Sequence, residues 1–137
     1  MRAARCLIVV VLAGMLAGCA RALPEQDRRI TVTPAIAKIP AEDLWKEYKD
    51  NAKAADKKYW GQAIEVSGKV STVVGEPTAP KAVRFFVEGD KGIKAFVLDD
   101  QAAEIIKRVV VGQHLRLKCY CAGLDGDVIL RSCIQPQ

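Results

Sequence analysis

The spacing of hydrophobic positions changes along the chain, and each change marks a new element. Cys6 to Ala17 is an apolar run behind Arg2 and Arg5, shorter than the ~20 residues that cross a bilayer core. It reads as a removable export signal. Residues 20–40 carry Pro24, Pro34 and Pro40 among charged side chains, with no sustained helical stripe. They are expected to form an extended tether reaching ~70 Å, with Ile30–Thr33 as part of it. From Ala41 the period becomes helical: Leu44, Tyr48, Ala52, Ala55 and Tyr59 share one face, and Glu42, Lys46, Lys49, Asp50 and Lys53 the other. One helix is expected, stopping near Trp60-Gly61.

The period then falls to two. Ile64, Val66, Gly68, Val70 and Thr72 alternate with Glu65, Ser67, Lys69 and Ser71, as on a half-buried strand. Residues 75–80 are a loop by composition. Val83–Val87 and Ile93–Leu98 are two more strands around a Gly89–Gly92 turn. A short helix follows, with Asp99 or Asp100 expected as its cap and Ile105, Ile106 and Val109 as its buried stripe. Leu115, Leu117, Cys119 and Cys121 alternate along the fourth strand, on one face. Asp125-Gly126 turns the chain into the fifth, Val128–Ile134.

Helix, three strands, helix, two strands is the order of a mainly β, five-stranded Greek-key barrel of the OB type preceded by an N-terminal helix. An open α+β sheet is the competing arrangement. The spacing of Leu44, Tyr48 and Asn51, of Ala55-Asp56, Tyr59 and Gly61, and of Val66 and Gly68 bears on the choice. So do Gly112-Gln113, Cys121-Ala122-Gly123, Val128, Leu130 and Cys133. Together they resemble the tRNA-anticodon-domain-like OB family of exported bacterial proteins, over about residues 41–135. The resemblance implies the barrel. It does not imply tRNA binding.

Leu16-Ala17-Gly18-Cys19 resembles the lipobox of bacterial lipoproteins. That likeness implies acyl chains, palmitate among them, on Cys19 after cleavage, and two or three chains anchor stably where one is marginal. The expected organisation is a signal peptide over 1–18, a lipid-anchored tether over 19–40 and the barrel domain over 41–137. Ala20, in place of an inner-membrane retention aspartate, points to the outer membrane facing the periplasm in a Gram-negative source.

Charge narrows the partners. The chain's net +5 divides unevenly, because residues 1–40 hold six basic and two acidic groups. Residues 41–137 hold fifteen and fourteen, a balance of +1. Duplex nucleic acid is therefore not the expected partner of the domain, since that affinity comes from neutralised phosphates. The 50% hydrophobic content fits a packed domain.

Three cysteines remain once Cys6 is removed and Cys19 acylated, in a compartment that is usually oxidising. The family resemblance implies a Cys121–Cys133 disulfide, whose loop is worth ~3 kcal/mol by chain entropy. Direct strand pairing leaves Cys119–Cys133 open, because one residue more in the turn shifts the register. A zinc site with His114 is not expected, because His114 alternates away from the cysteine face. Asp125 and Asp127 read as turn residues. The sequence shows no nucleophile elbow, zinc-protease pair or phosphate loop, so the expectation is a protein without catalytic residues, metal or cofactor.

The remaining surface of interest lies on the second and third strands. If Val83, Phe85 and Val87 face inward, then Arg84, Phe86 and Glu88 face outward, joined by Lys94 and Phe96. This is the face on which OB-folds commonly bind oligonucleotides or oligosaccharides. The expected arrangement nevertheless buries Phe86 and Phe96 beneath the N-terminal helix, Trp45 or Trp60. The functional expectation is a lipid-anchored, non-catalytic envelope binding module for a glycan, peptide or protein. An assembly accessory is the alternative and single-stranded nucleic-acid binding a weaker one.

Overall fold

A computed structural model describes residues 23–75, 81–87, 89 and 91–137. Residues 1–22, which include the expected export signal with Cys6 and Cys19, residues 76–80, expected from sequence as a loop, Glu88 and Asp90 lie outside the described residues. The helical stretch from Ala41 forms two helices, α1 (Ala41–Asp50) and α2 (Ala52–Tyr59). Asn51 separates them in an extended conformation, and its Oδ1 accepts from the Ala54 N–H at 3.1 Å, which caps α2. A short amide that can bond its own backbone competes with continuous helix. The apolar stripe survives the break, because Leu44, Tyr48, Ala55 and Tyr59 are all buried. Lys58 and Tyr59 both reach Glu47 at 3.1 Å, which ties α2 back to α1.

The first long strand, β2 (Ala63–Val74), follows a short one, β1 (Lys38–Pro40). Then come β3 (Ala82–Phe85), β4 (Ile93–Val97), α3 (Asp99–Arg108), β5 (His114–Asp125) and β6 (Asp127–Ile134). Within the barrel β2 serves two neighbours, pairing β5 through Ala63–Lys69 and β3 through Val70–Val74. The order β2-β3-β4-β6-β5 therefore closes on itself into a five-stranded barrel consistent with an OB-fold. Gly68 sits where the barrel and α1 meet. A Cβ there would stand 3.0 Å from both Ala41 Cβ and a Phe85 ring carbon, a tight approach that favours glycine. The inward residues of all five strands join α1, α2 and α3 in one core.

Residues 23–40 depart from the expected tether, because they pack on the barrel. Arg28–Thr31 forms a 3-10 turn that buries Ile30 completely against Ala63, Leu98, Ile134 and Tyr120, a patch outside the main core. Burying such a side chain contributes ~1.5–3 kcal/mol. Lys38–Pro40 adds a sixth strand, parallel to β2 with Lys38 opposite Glu65. The same segment overturns the predicted cap of α3. Leu98 occupies the cap position, and Asp99 N–H donates to Gln26 Oε1 at 2.8 Å. Asp100 instead pairs with Arg28 at 3.0 Å. Both carboxylates still favour the positive end of the helix.

Candidate functional site

The β3–β4 hairpin puts Arg84 opposite Lys94, with Val83 and Ala95 buried between them and the core. Strand alternation thus builds the expected outward row. Arg84 Nη2 donates to Asp127 Oδ1 at 2.7 Å, and Gly92 N–H donates to the same oxygen at 2.8 Å. Asp127, read from sequence as a turn residue, therefore joins the β3–β4 hairpin to the start of β6. A hollow of about 140 Å3 opens beside it, lined by Ser71, Arg84, Phe86, Val87 and Gly92 among others. This volume suits one small ring or side chain and no more.

The two rings do not lie beneath the N-terminal helix. Phe86 is 48% exposed, beyond the end of β3, where its N–H donates to Lys69 O at 2.8 Å. Phe96 is half-buried, with Lys94 Nζ 5.1 Å and Arg131 Cζ 6.0 Å from its ring centroid. The reason is topological: α1 packs on β1 and β2, away from the β3–β4 face. Trp45 packs against the core instead, and Trp60 bridges to Cys121. Arg131 was missed from sequence because only the parallel pairing of β6 with β4, two strands distant in the chain, brings it beside Phe96.

An extra residue in β6 corrects the disulfide. Cys119 is bonded to Cys133, and Cys121 is the free thiol, in place of the Cys121–Cys133 pairing that the family resemblance implied. Between Lys118–Ile134 and Tyr120–Arg131, β6 spends two residues on one of β5, with Ser132 at φ 55°. Between Cys121–Leu130 and Leu124–Val128 the imbalance is reversed, at Ala122 and Gly123, whose φ is +85°. The two bulges offset one another, so Cys119 lies level with Cys133 and Cys121 level with Leu130. Ser132 is held by the N-terminal segment: its Oγ accepts from Asp27 N–H at 2.8 Å and donates to Glu25 O at 3.2 Å.

Cys121 is buried with its Sγ 3.2 Å from Tyr48 Oη, and Tyr48 donates to Asp56 Oδ1 at 2.9 Å. Burial pushes the thiol up, as it does the Tyr48 hydroxyl, where the Cys121 and Asp56 contacts add to the rise. A protonated, enclosed thiol is a packing group and not a nucleophile. His114 is exposed, while Cys119 and Cys121 face the core. Asp125 is exposed in the terminal hairpin.

The tRNA_anti-like family model matches residues 1–134. Among solved structures, the chain is similar to a Klebsiella pneumoniae subsp. pneumoniae lipoprotein named for a proposed nucleic acid-binding role. The TM-score is 0.58 at 10% identity, over 81% of this chain and 98% of that one. No curated protein sequence matches. At that identity the structural likeness speaks for the fold, and the fold agrees with the family match. The closed barrel, its intervening helix and the match along nearly the whole sequence give one conclusion: the chain belongs to the tRNA_anti-like family.

Proposed function

We propose that this protein is a lipid-anchored, non-catalytic binding module of the bacterial envelope, with the β3–β4 face as its binding surface. The observation that carries the reading is the exposed Phe86 ring beside the Arg84–Asp127 pair and its hollow. Phe96, flanked by Lys94 and Arg131, extends the same face. Such a surface offers apolar contact together with oriented donors and acceptors, which suits a glycan or peptide chain. It is poorly built for a polyanion, because Arg84 already pairs with Asp127 and Arg131 with Glu25 at 3.3 Å. The Cys19 lipobox supports anchoring, and Ala20 supports the outer membrane, facing the periplasm, in a Gram-negative source.

A titration of soluble peptidoglycan fragments into residues 20–137, followed by NMR, tests the surface. Expected are shifts at Arg84, Phe86, Lys94 and Phe96 that disappear in Phe86→Ala. Absence of shifts there, with envelope proteins protecting Val110 and Val111 instead, would favour an assembly accessory. Those adjacent valines are 64% and 57% exposed, which gives that second reading its own support. The Klebsiella lipoprotein's name keeps nucleic acid as a third arm of the same titration.

A further inference from the structure

The N-terminal segment that packs on the barrel also limits how far the domain can stand from its anchor. Only four residue steps separate Cys19 from Leu23, a span of at most ~14 Å. Leu23 lies with Arg29, Thr33, Gly61 and Tyr120 around one surface hollow. Next to it is the outer face of β1–β2–β5, where Lys38, Glu65 and Lys118 stand in register and Arg116 opposes Ser67. Glu65 is 13% exposed, set back between Lys38 and Arg116, whose charged atoms lie 3.7 and 3.9 Å from it. Lys118 donates to the Thr33 carbonyl at 3.1 Å. Along this face's border, Val32 and Ile36 project at 81% and 57% exposure.

We infer that this face rests on the bilayer that holds the acyl chains of Cys19. The inference depends on the anchoring read from the lipobox. Anionic headgroups cover Lys38, Arg116 and Lys118, while Val32 and Ile36 enter the interface. Short attachment and charge complementarity select the same side of the molecule. In the closed strand order β4 lies across the barrel from β2 and β5, so docking turns Lys94 and Phe96 away from the lipid. The Val110–Val111 pair belongs to the far end of these strands, where Gly112 N–H donates to Val70 O at 2.8 Å.

The test uses the full lipidated protein in nanodiscs of phosphatidylethanolamine and phosphatidylglycerol, with gadolinium chelated to some headgroups. Methyl spectra are expected to lose Val32 and Ile36 selectively and to keep Val110 and Val111. Changing Lys118→Glu, or replacing the anionic lipid with phosphatidylcholine, should lower the ratio of docked to undocked protein, by about fivefold for each cationic contact removed. Uniform broadening, or selective loss of Val110 and Val111, overturns the surface and leaves the anchor standing. Wild-type protein that enters nanodiscs no better than Cys19→Ser overturns anchor and surface together.

Discussion

The Cα atoms of Cys119 and Cys133 stand 4.3 Å apart across β5 and β6, bridged, while Cys121 two residues away is free. Folded protein should therefore yield no reactive thiol among these three cysteines. After denaturation without reductant, alkylation and peptide mapping should label Cys121 alone. Replacing Cys133 by Ser should cost roughly 2–5 kcal/mol, measured by urea unfolding. Labelled Cys119 beside a bridged Cys121 would reverse the assignment of the two bulges.

Alkaline pH should weaken the fold through the buried groups around Cys121. Burial raises the Cys121 thiol and the Tyr48 and Tyr59 hydroxyls above their ordinary values. Each raised group keeps its proton in the folded chain after the unfolded chain has lost it. Its stabilisation is complete below the unfolded pKa and disappears as pH climbs through the folded one. The unfolding free energy should stay level near neutrality and fall above pH ~9. Cys121→Ala should move the onset toward pH ~10, where the tyrosines begin to titrate. An unchanged onset in that variant would mean that Cys121 does not contribute.

Alternation in the sequence located the barrel because inward positions on β2, β4 and β5 are set by local period. The same period could not show the β6 bulge. Ser132 takes its conformation from Asp27 and Glu25, more than a hundred residues earlier. The α3 cap was hidden for a like reason, since Gln26 supplies it from outside the local sequence. Residues 23–40 read as tether because their prolines break any periodic stripe and their two buried hydrophobics, Ile30 and Ile39, stand nine residues apart. On the β3–β4 face, the outward direction of Arg84 and Lys94 was legible. The exposure of Phe86 was not, because it depends on which strands α1 covers.

Asp127→Ala should destabilise the protein and loosen the β3–β4 face at once. The substitution leaves Arg84, 33% exposed, without its carboxylate, and Gly92 N–H without its acceptor. A loss of about 1–3 kcal/mol follows for partly buried groups left unpaired. Asp127→Asn can still accept both bonds and should recover part of it. Urea unfolding of the two variants checks the order, and equal stability of Ala and Asn would remove Asp127 as the joint between the hairpin and β6.

Binding of nucleic acid should be weak at physiological salt. With residues 23–40 packed on the barrel, residues 23–137 hold eighteen basic and sixteen acidic groups, a balance of +2, and two of the three cations on the face, Arg84 and Arg131, have carboxylate partners. Few phosphates can be neutralised, and log affinity falls by ~0.9 per neutralised phosphate for each tenfold rise in salt on B-DNA. Stacking offers ~1–3 kcal/mol per base. Phe86 is open to it, whereas a base on Phe96 must displace Lys94 or Arg131 from the ring. One open ring cannot replace a basic groove, so the dissociation constant for short single-stranded DNA or RNA should exceed ~10 μM, the middle of the non-specific range. Fluorescence anisotropy at about 150 mM salt, close to physiological ionic strength, measures this. Submicromolar binding that disappears in Phe86→Ala or Phe96→Ala would transfer the face to an oligonucleotide. Equally tight binding that survives both changes would place the contact elsewhere on the chain.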